Sequence, residues 1–256
     1  MIRVEKIYKN FGDLEVLKDV SVHFERGITN LIIGRSGAGK TVLLKILIGL
    51  ITPSSGEVYY EDTNFYSLDK KQVRKLRMEV GMLFQSSALF DSLTIDENIR
   101  FPLDMFTKLT TKEKTDRVNY CLERVNLEGV NKKYPAEVSG GMQKRVGIAR
   151  AIVMKPKYLF CDEPNSGLDP KTSITVDKLI QEITQENNIT TIVNTHDMNS
   201  VMEIGEKIIL LQDGILAWEG SKSDVLVRGN DMIQNFIFAS PFLQRLKDKA
   251  LKNEND

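Results

Sequence analysis

A glycine-rich segment of eight residues, GRSGAGKT at positions 34–41, constrains the fold of this chain more than any other feature. It follows a short apolar stretch at 29–33 and precedes apolar residues that recur at helical spacing over 42–50. Strand, tight loop and helix in this order are the setting that the pattern G-x-x-x-x-G-K-S/T requires, in which backbone N–H groups surround the phosphates of a nucleotide. We therefore predict a phosphate-binding loop at the end of a buried strand.

Each part of this loop has an expected role at the nucleotide. The glycines lack a Cβ atom, so the backbone can close around a chain of phosphates. The ammonium group of Lys40 would bind the β- and γ-phosphates, and the hydroxyl group of Thr41 would ligate Mg²⁺. The residues predicted to contact the nucleotide here are Gly34, Arg35, Ser36, Gly37, Ala38, Gly39, Lys40 and Thr41.

A second motif, YLFCDE at 158–163, is an apolar strand that ends in two carboxylates. Alternating apolar strands and helices after residue 157 predict a largely parallel α/β core, and such sheets bind ligands at the carboxyl ends of their strands. There Asp162 suits the outer shell of a hydrated Mg²⁺, and Glu163 can polarise a water molecule towards the γ-phosphate. An acidic pair alone is weak evidence, but behind a phosphate-binding loop it becomes strong.

Composition excludes several other classes of protein. The 35 basic and 35 acidic residues cancel, and 41% of the chain is apolar, which disfavours both a disordered chain and a generally basic nucleic-acid binder. No stretch reaches the roughly 18 consecutive apolar residues of a bilayer-spanning helix, and the first residues lack the apolar segment of a signal peptide. Cys121 and Cys161 lack paired spacing, which argues against a zinc site or a disulfide scaffold and favours the cytosol.

A third motif, VSGGMQKR at 138–145, places Ser139, Gly140 and Gly141 at the start of a helix, where they would form a second anion site. This string resembles the LSGGQ signature of the ATP-binding cassette (ABC) ATPases and departs from it at Val138 and Met142. The resemblance extends over nearly the whole chain.

Other matches follow in the order of that family. Gln85 resembles the glutamine of the Q-loop, Asp169 belongs to a D-loop-like SGLD, and His196 in NTHD resembles the switch histidine. Phe11 resembles the aromatic residue on which adenine stacks. Asn165 stands where many relatives have threonine or alanine, which should affect D-loop contacts more than phosphate binding.

The resemblance implies a set of roles. It assigns catalysis to Glu163, His196 and Gln85, Mg²⁺ to Thr41, Gln85 and Asp162, and ATP to the loop residues together with Phe11, Ser139, Gly140, Gly141 and Asp169. It also implies a P-loop core of the ABC ATPase type with an N-terminal antiparallel β part. We expect this domain to span 1–229, with a helical subdomain at about 86–155, and a C-terminal helical extension to follow at 230–256.

The implied function is an ATP-hydrolysing, energy-coupling subunit of an ABC transporter. The segments at 34–45, 81–103 and 138–152 look most like cassettes of bacterial phospholipid-trafficking (Mla-type, toluene-tolerance-type) transporters. Cassettes for amino acids, lipoproteins or cell division, and soluble cassettes acting on DNA, ribosomes or cytoskeletal partners, remain alternatives. The expected partners are a second copy with ATP between the subunits and integral membrane permease subunits, on the cytoplasmic face of the inner membrane, with neither nucleic acid nor direct membrane insertion.

Two apolar segments should form contact surfaces. The run at 84–90, together with the helix start at 94–98, predicts a docking surface for a cytoplasmic helix of the permease. Residues 230–256 carry an apolar stripe that could cover its own cassette, the partner subunit or the permease. This stripe consists of Ile233, Phe236, Ile237, Phe238 and, after a helix start at Ser240 and Pro241, Phe242, Leu243 and Leu246.

Overall fold

A computed structural model of the chain describes residues 1–227 and 231–238. Its strands are β1 (Ile2–Phe11), β2 (Leu14–Phe24), β3 (Thr29–Ile33), β4 (Ser55–Tyr60), β5 (Thr63–Asn64), β6 (Val80–Leu83), β7 (Tyr158–Asp162), β8 (Thr190–Asn194), β9 (Lys207–Gln212) and β10 (Ile215–Gly220). Its α-helices are α1 (Lys40–Leu47), α2 (Lys70–Arg77), α3 (Ile95–Phe106), α4 (Thr111–Arg124), α5 (Gly140–Ile152), α6 (Pro170–Asn187), α7 (Met198–Ile204), α8 (Lys222–Val227) and α9 (Asp231–Ile237).

The central sheet has the strand order β10-β9-β3-β8-β7-β6. Every neighbouring pair in it is parallel except β9 with β10. The strands β3, β7 and β8 are buried at every residue, as expected for parallel strands covered by helices on both faces. Their carboxyl ends meet at one edge, which confirms the P-loop core with a largely parallel sheet.

A second, antiparallel sheet with the order β2-β1-β4-β5 confirms the expected N-terminal β part. Its inward side chains share one hydrophobic core with α1 and one face of the central sheet, through residues such as Ile7, Leu43 and Phe160. The sheet also reaches the glycine loop, since a Cβ atom on Gly39 would lie 2.7 Å from Cδ2 of Leu17 on β2. The φ of 99° at Gly39 requires glycine, and the contact sets the loop against β2.

The helices α3, α4 and α5 lie between β6 and β7 in the chain and pack together over a second core. Capping boxes begin two of them: Thr94 pairs with Glu97 at α3, and Thr110 with Glu113 at α4. The apolar residues Val118, Cys121 and Leu122, at helical spacing on α4, are buried. Arg117 of that helix donates to two carbonyl groups at the end of α5 and ties the helices together.

The helix α9 packs on its own cassette. Ile233 and Ile237 are buried in the same core as the helices above, and Phe236 packs against it. The sequence left open whether this segment covers its own cassette, the partner subunit or the permease. For residues 231–238 the structure shows packing on their own cassette. The expected helix at Ser240 and its apolar residues Phe242, Leu243 and Leu246 lie outside the described residues.

Within residues 1–227 and 231–238, no helix combines the length and the hydropathy that crossing a bilayer requires.

Replacing Ile233 by alanine should destabilise the isolated cassette. The side chain is fully buried, and truncating a buried isoleucine costs about 2–5 kcal/mol. Thermal unfolding in the absence of nucleotide should show a lower Tm for Ile233→Ala than for the parent, whereas Met232→Ala, on the exposed side of the same helix, should leave it nearly unchanged. Equal melting of the two variants would show that α9 does not belong to the core of its own subunit.

Candidate functional site

The glycine loop between β3 and α1 has the backbone that the motif predicts. Gly34, Gly37 and Gly39 have φ values of 150°, 82° and 99°, a region that side chains with a Cβ atom rarely adopt. A Cβ atom on Gly34 would also collide with the carbonyl oxygen of Leu211 on β9. Gly39 caps α1 without a side-chain bond, so the first N–H groups of the helix are directed at the loop. An anion would be bound at that helix start.

Lys40 lies inside the loop. Its Nζ donates to the carbonyl oxygens of Gly34 at 2.8 Å and Arg35 at 3.3 Å, and the residue is buried. Burial lowers the pKa of this ammonium group, whereas the charges of Glu163 and Asp162 raise it. The negative charge of a bound triphosphate would stabilise this buried cation.

Thr41 and Asp162 meet although 121 residues separate them. The Thr41 hydroxyl donates to Oδ1 of Asp162 at 3.3 Å, and Nδ2 of Asn194 donates to the same oxygen at 3.0 Å. Asn194 pairs in register with Asp162 across β8 and β7. Sequence reasoning missed Asn194, and its only signal was an amide at the end of the next apolar stretch, ITTIVN.

Glu163 and His196, both predicted as catalytic, are in direct contact. Nδ1 of His196 lies 2.7 Å from Oε2 of Glu163. Glu163 has a φ of 50°, which is strained for a residue with a side chain, and its N–H donates to the carbonyl oxygen of Asn194 at 3.0 Å. Such strain persists only where the surroundings enforce it and is common at active sites. Two of the three residues predicted as catalytic, Glu163 and His196, are thus brought together after the ends of β7 and β8.

Gln85, two residues after the end of β6, lies beside the segment that follows Glu163. Its Nε2 donates to Oγ of Ser166 at 3.3 Å. Lys144, buried on α5, donates to the carbonyl oxygens of Gln85 and Glu163 and so fixes both segments. Burial lowers the pKa of Lys144, which Cys161 and the acidic pair raise. The sequence contained Lys144 within the signature-like string, but nothing there indicated that it points into the site.

The signature-like residues lie at the start of α5, where the sequence predicts a second anion site. Ser139 caps α5 by accepting from the N–H of Met142 at 3.3 Å. A Cβ atom on Gly140 would meet nothing within 4 Å, whereas one on Gly141 would lie 2.6 Å from Cγ2 of Thr172. Within residues 1–227 and 231–238, no hydrogen bond links Ser139 or either glycine to the glycine loop. Within one chain, the glycine loop and the signature-like helix start are therefore not joined by a hydrogen bond.

Asp169 and Phe11 complete the predicted set. Asp169 caps α6 by accepting from the N–H groups of Lys171 and Thr172. The Thr172 hydroxyl also donates to its carboxylate, and this bond together with the backbone bonds lowers the pKa of Asp169. Through Thr172 it adjoins the signature-like helix. Phe11 lies at the tip of the β1–β2 hairpin with its ring about half exposed and Nζ of Lys9 4.8 Å from the ring centroid. The exposed ring is free for stacking, but no hydrogen bond or ring contact among the described residues joins it to the loop.

Comparison with known proteins identifies the family. The ABC transporter family profile matches residues 17–166. The methionine import ATP-binding protein of Clostridium tetani is 39% identical over 237 residues, which cover 93% of this chain and 74% of that protein. A homologue of the same name from Pseudomonas fluorescens is 38% identical, over 88% of this chain and 67% of its own length.

Solved structures agree with the sequence comparison. A dimeric bacterial ABC transporter cassette superposes with a TM-score of 0.80 at 33% identity, covering 87% of this chain and 99% of that one. The structure of cbiO1 from Clostridium perfringens, part of the ABC transporter complex cbiONQ, gives 0.83 at 29% identity, covering 97% and 98%. A glycine loop, an acidic strand end and a signature-like helix start thus stand in a shared fold, and the chain belongs to the ABC transporter family as an ATP-hydrolysing cassette.

Proposed function

We propose that this chain hydrolyses ATP between two copies of itself in order to drive transport through membrane permease subunits. The observation that carries the proposal is the 2.7 Å contact of Glu163 with His196, beside the buried Lys40 and the paired Thr41 and Asp162. All of these groups lie at the carboxyl ends of neighbouring parallel strands, where a γ-phosphate held by Lys40 would face the Glu163 carboxylate.

In the proposed reaction, Glu163 accepts a proton from a water molecule as the water oxygen attacks the γ-phosphorus. The bond from that phosphorus to the bridging oxygen breaks, and ADP and phosphate form. His196 holds Oε2 of Glu163 and so orients the carboxylate. Lys40 and the loop N–H groups hold the phosphates.

The donor set at Thr41 and Asp162 suits Mg²⁺. No group of three or more acidic, histidine or cysteine side chains within residues 1–227 and 231–238 could hold a metal ion alone. Mg²⁺ is instead bound through one or two protein oxygens, substrate phosphates and water, which matches one hydroxyl and one carboxylate. Gln85 is the third proposed ligand. When bound, the ion neutralises charge on the phosphates.

The variant Glu163→Gln should bind ATP but hydrolyse it slowly, because the amide cannot accept the proton. We expect kcat to fall about 10²-fold or more, the scale of removing a positioned base. Lys40→Ala should instead weaken ATP binding, measured by calorimetry. Glu123→Gln, an exposed carboxylate on α4, is the matched control and should behave as the parent. Hydrolysis by Glu163→Gln within a factor of two of the parent would reject the assigned base.

Two observations support a two-copy unit. The glycine loop and the signature-like residues 139–141 are not joined within one chain, and each alone is an incomplete nucleotide site. A solved cassette with 33% identity is a dimer. In a symmetric pair, the loop of one copy would face the helix start of the other, giving two composite sites.

Gly140→Leu should prevent this pairing without unfolding the chain. A Cβ atom at Gly140 meets nothing in its own subunit, so the added side chain would project into the space that the partner's nucleotide must occupy. We expect the double variant with Glu163→Gln to stay monomeric in ATP by sedimentation, whereas Glu163→Gln alone dimerises. Their Tm values without nucleotide should agree. ATP-dependent dimers of the double variant would contradict the proposed interface.

An apolar groove beside Gln85 is the proposed permease contact. It has a volume of about 470 Å³ and is lined largely by apolar residues of β6, the segment after it and α3. Phe84, Phe90 and Phe101 are exposed there, and the rings of the last two lie 4.9 Å apart. The docking surface expected from residues 84–90 needs one correction: Leu89 packs against the core, because its side chain turns away from the groove formed by its neighbours.

The cargo we propose is an amino acid of the methionine type, taken up from outside the cell. The support is the names of the relatives that are 38–39% identical, which are methionine import proteins. The phospholipid cargo expected from the sequence is not supported by these relatives. An amino-acid system was among the alternatives that the sequence left open. In such a system the chain would lie on the cytoplasmic face of the membrane, bound to the permease.

One experiment tests permease and cargo together. Tagged parent chain, Phe101→Glu and Ile215→Glu are purified from the native cell in mild detergent, and the retained proteins and small molecules are identified. We expect the parent to retain a permease and Phe101→Glu to lose it with its basal ATPase intact. Ile215→Glu, exposed at the opposite edge of the central sheet, should retain the permease as the parent does.

The cargo is then measured by ATPase stimulation of the reconstituted complex. Stimulation with methionine and its binding protein supports the amino-acid cargo, whereas stimulation that depends on phospholipid transfer would support the lipid one. Recovery of ribosomes or DNA-bound proteins in place of a permease would contradict the transport function.

A further inference from the structure

A carboxyl group lies buried behind the catalytic pair. Asp177 of α6 is 1% exposed, and its Oδ1 has no hydrogen-bond partner. Asn165 and Ser200, both also buried, lie beside its carboxyl group, and Nδ2 of Asn165 donates to Oγ of Ser200 at 2.9 Å. We call Asn165, Asp177 and Ser200 the polar triad.

The polar triad connects the segments that follow both catalytic residues. Asn165 comes two residues after Glu163, and Ser200 comes four residues after His196, on α7. A cavity of about 570 Å³ is lined by Asn165 and Asp177 of the triad together with Glu163, His196 and residues of α7. A shift of Asn165 relative to Ser200 would therefore change the spacing of Glu163 and His196.

Burial of Asp177 makes the ionised form of its carboxyl group energetically unfavourable. Burial is the main cause that raises its pKa to about 6, and the negative charges of Asp197 and Glu203 on the α7 side raise it further. Hydrogen bonds from Ser200 and Asn165 lower it in part. The Cys161 thiol of β7 also interacts with the charge of Asp177, and Glu163 and His196 line the same cavity. No positive charge among the described residues compensates it.

Ionisation gives Asp177 a property that a neutral amide lacks. A carboxylate only accepts hydrogen bonds, so it requires Asn165 to present its NH₂ group and Ser200 its hydroxyl hydrogen. This defines the orientation of the Asn165 amide, which could otherwise face either way. Above pH 6 the group is mostly ionised, since the pH then exceeds its pKa of about 6.

We propose that ionised Asp177 is a positioning residue for ATP hydrolysis, which holds Asn165 against Ser200 and thereby keeps Glu163 aligned with His196. The inference rests on the proposed catalytic roles of Glu163 and His196. A polar cluster that serves stability alone would not need an ionised member, because asparagine at 177 would fill the same space without the cost of a buried charge.

Stability and activity should respond in opposite directions to Asp177→Asn. A carboxyl group whose pKa is raised on folding loses stability as the pH rises from its unfolded value of about 4 to its folded value of about 6. The amide variant escapes this loss and should melt at a higher temperature than the parent at pH 8. Its kcat at pH 8 should nevertheless be lower by about tenfold, the scale of a small misplacement of reacting groups.

The pH profile gives the decisive readout. ATPase rates of the full chain are measured from pH 5.5 to 8.5 for the parent, Asp177→Asn and Glu203→Gln. As Asp177 takes up its proton, the ratio of parent to Asp177→Asn kcat should fall from about tenfold at pH 8 to about threefold at pH 5.5, with KM for ATP within a factor of two. Glu203→Gln removes an exposed repelling charge and should move this transition to lower pH.

Two outcomes would overturn the inference: a kcat of Asp177→Asn equal to that of the parent at pH 8, or a ratio that does not change with pH. Glu163→Gln is included to separate the proposals. Hydrolysis by that variant at the parental rate would show that the catalytic assignment fails, whereas an inactive Glu163→Gln beside a fully active Asp177→Asn would reject only the positioning role.

Discussion

The parallel alignment of β3, β7 and β8 is the constraint on which the rest of the site depends. Each of these strands is buried along its whole length, and each ends at the same edge of the sheet. The glycine loop, the acidic pair and the switch histidine follow these three ends. Because the register pairs Asp162 with Asn194, a slip of one residue would separate Glu163 from His196 and aim alternate side chains at the wrong face.

Charged groups of both signs are concentrated around this edge. Lys40 and Lys144 are both buried, and burial lowers the pKa of each. The negative charges of Asp162 and Glu163 raise the pKa of both lysines. Carbonyl oxygens satisfy much of the hydrogen bonding of both lysines. A triphosphate bound at Lys40 would replace neutral acceptors by negative ones, and hydrogen bonds between charged groups are the stronger ones.

The two half-sites of the chain differ in how they are built. The glycine loop is held by close backbone contacts with β2 and β9, which leave no room for a Cβ atom. The signature-like helix start is open at Gly140 and is held from behind by the contact of Gly141 with Thr172. Thr172 belongs to the first turn of α6, which Asp169 caps, and Asp177 lies further along the same helix. One helix therefore connects the open half-site with the residues behind the catalytic pair.

The sequence by itself determined the local parts of this protein. The glycine loop, the acidic strand end, the helix caps and the alternation of strands and helices are properties of adjacent residues, so a single chain reveals them without an alignment. The resemblance to a family then supplied Gln85, His196 and Asp169, and the structure places Gln85 and His196 against the segment that carries Glu163.

Only the tertiary structure decided which distant side chains share the site. The sequence did not single out Asn194, Lys144, Asp177 or Ser200 for the site, because such polar residues have no local pattern that separates a buried role from a solvent-exposed one. Asn165 stood out only as a departure from the family pattern. The same holds for Leu89, whose side chain turns to the core, and for α9, whose apolar side lies on its own cassette. Hydrophobic patterning indicates that a side chain will be buried, but strand register and helix packing determine which residues bury it.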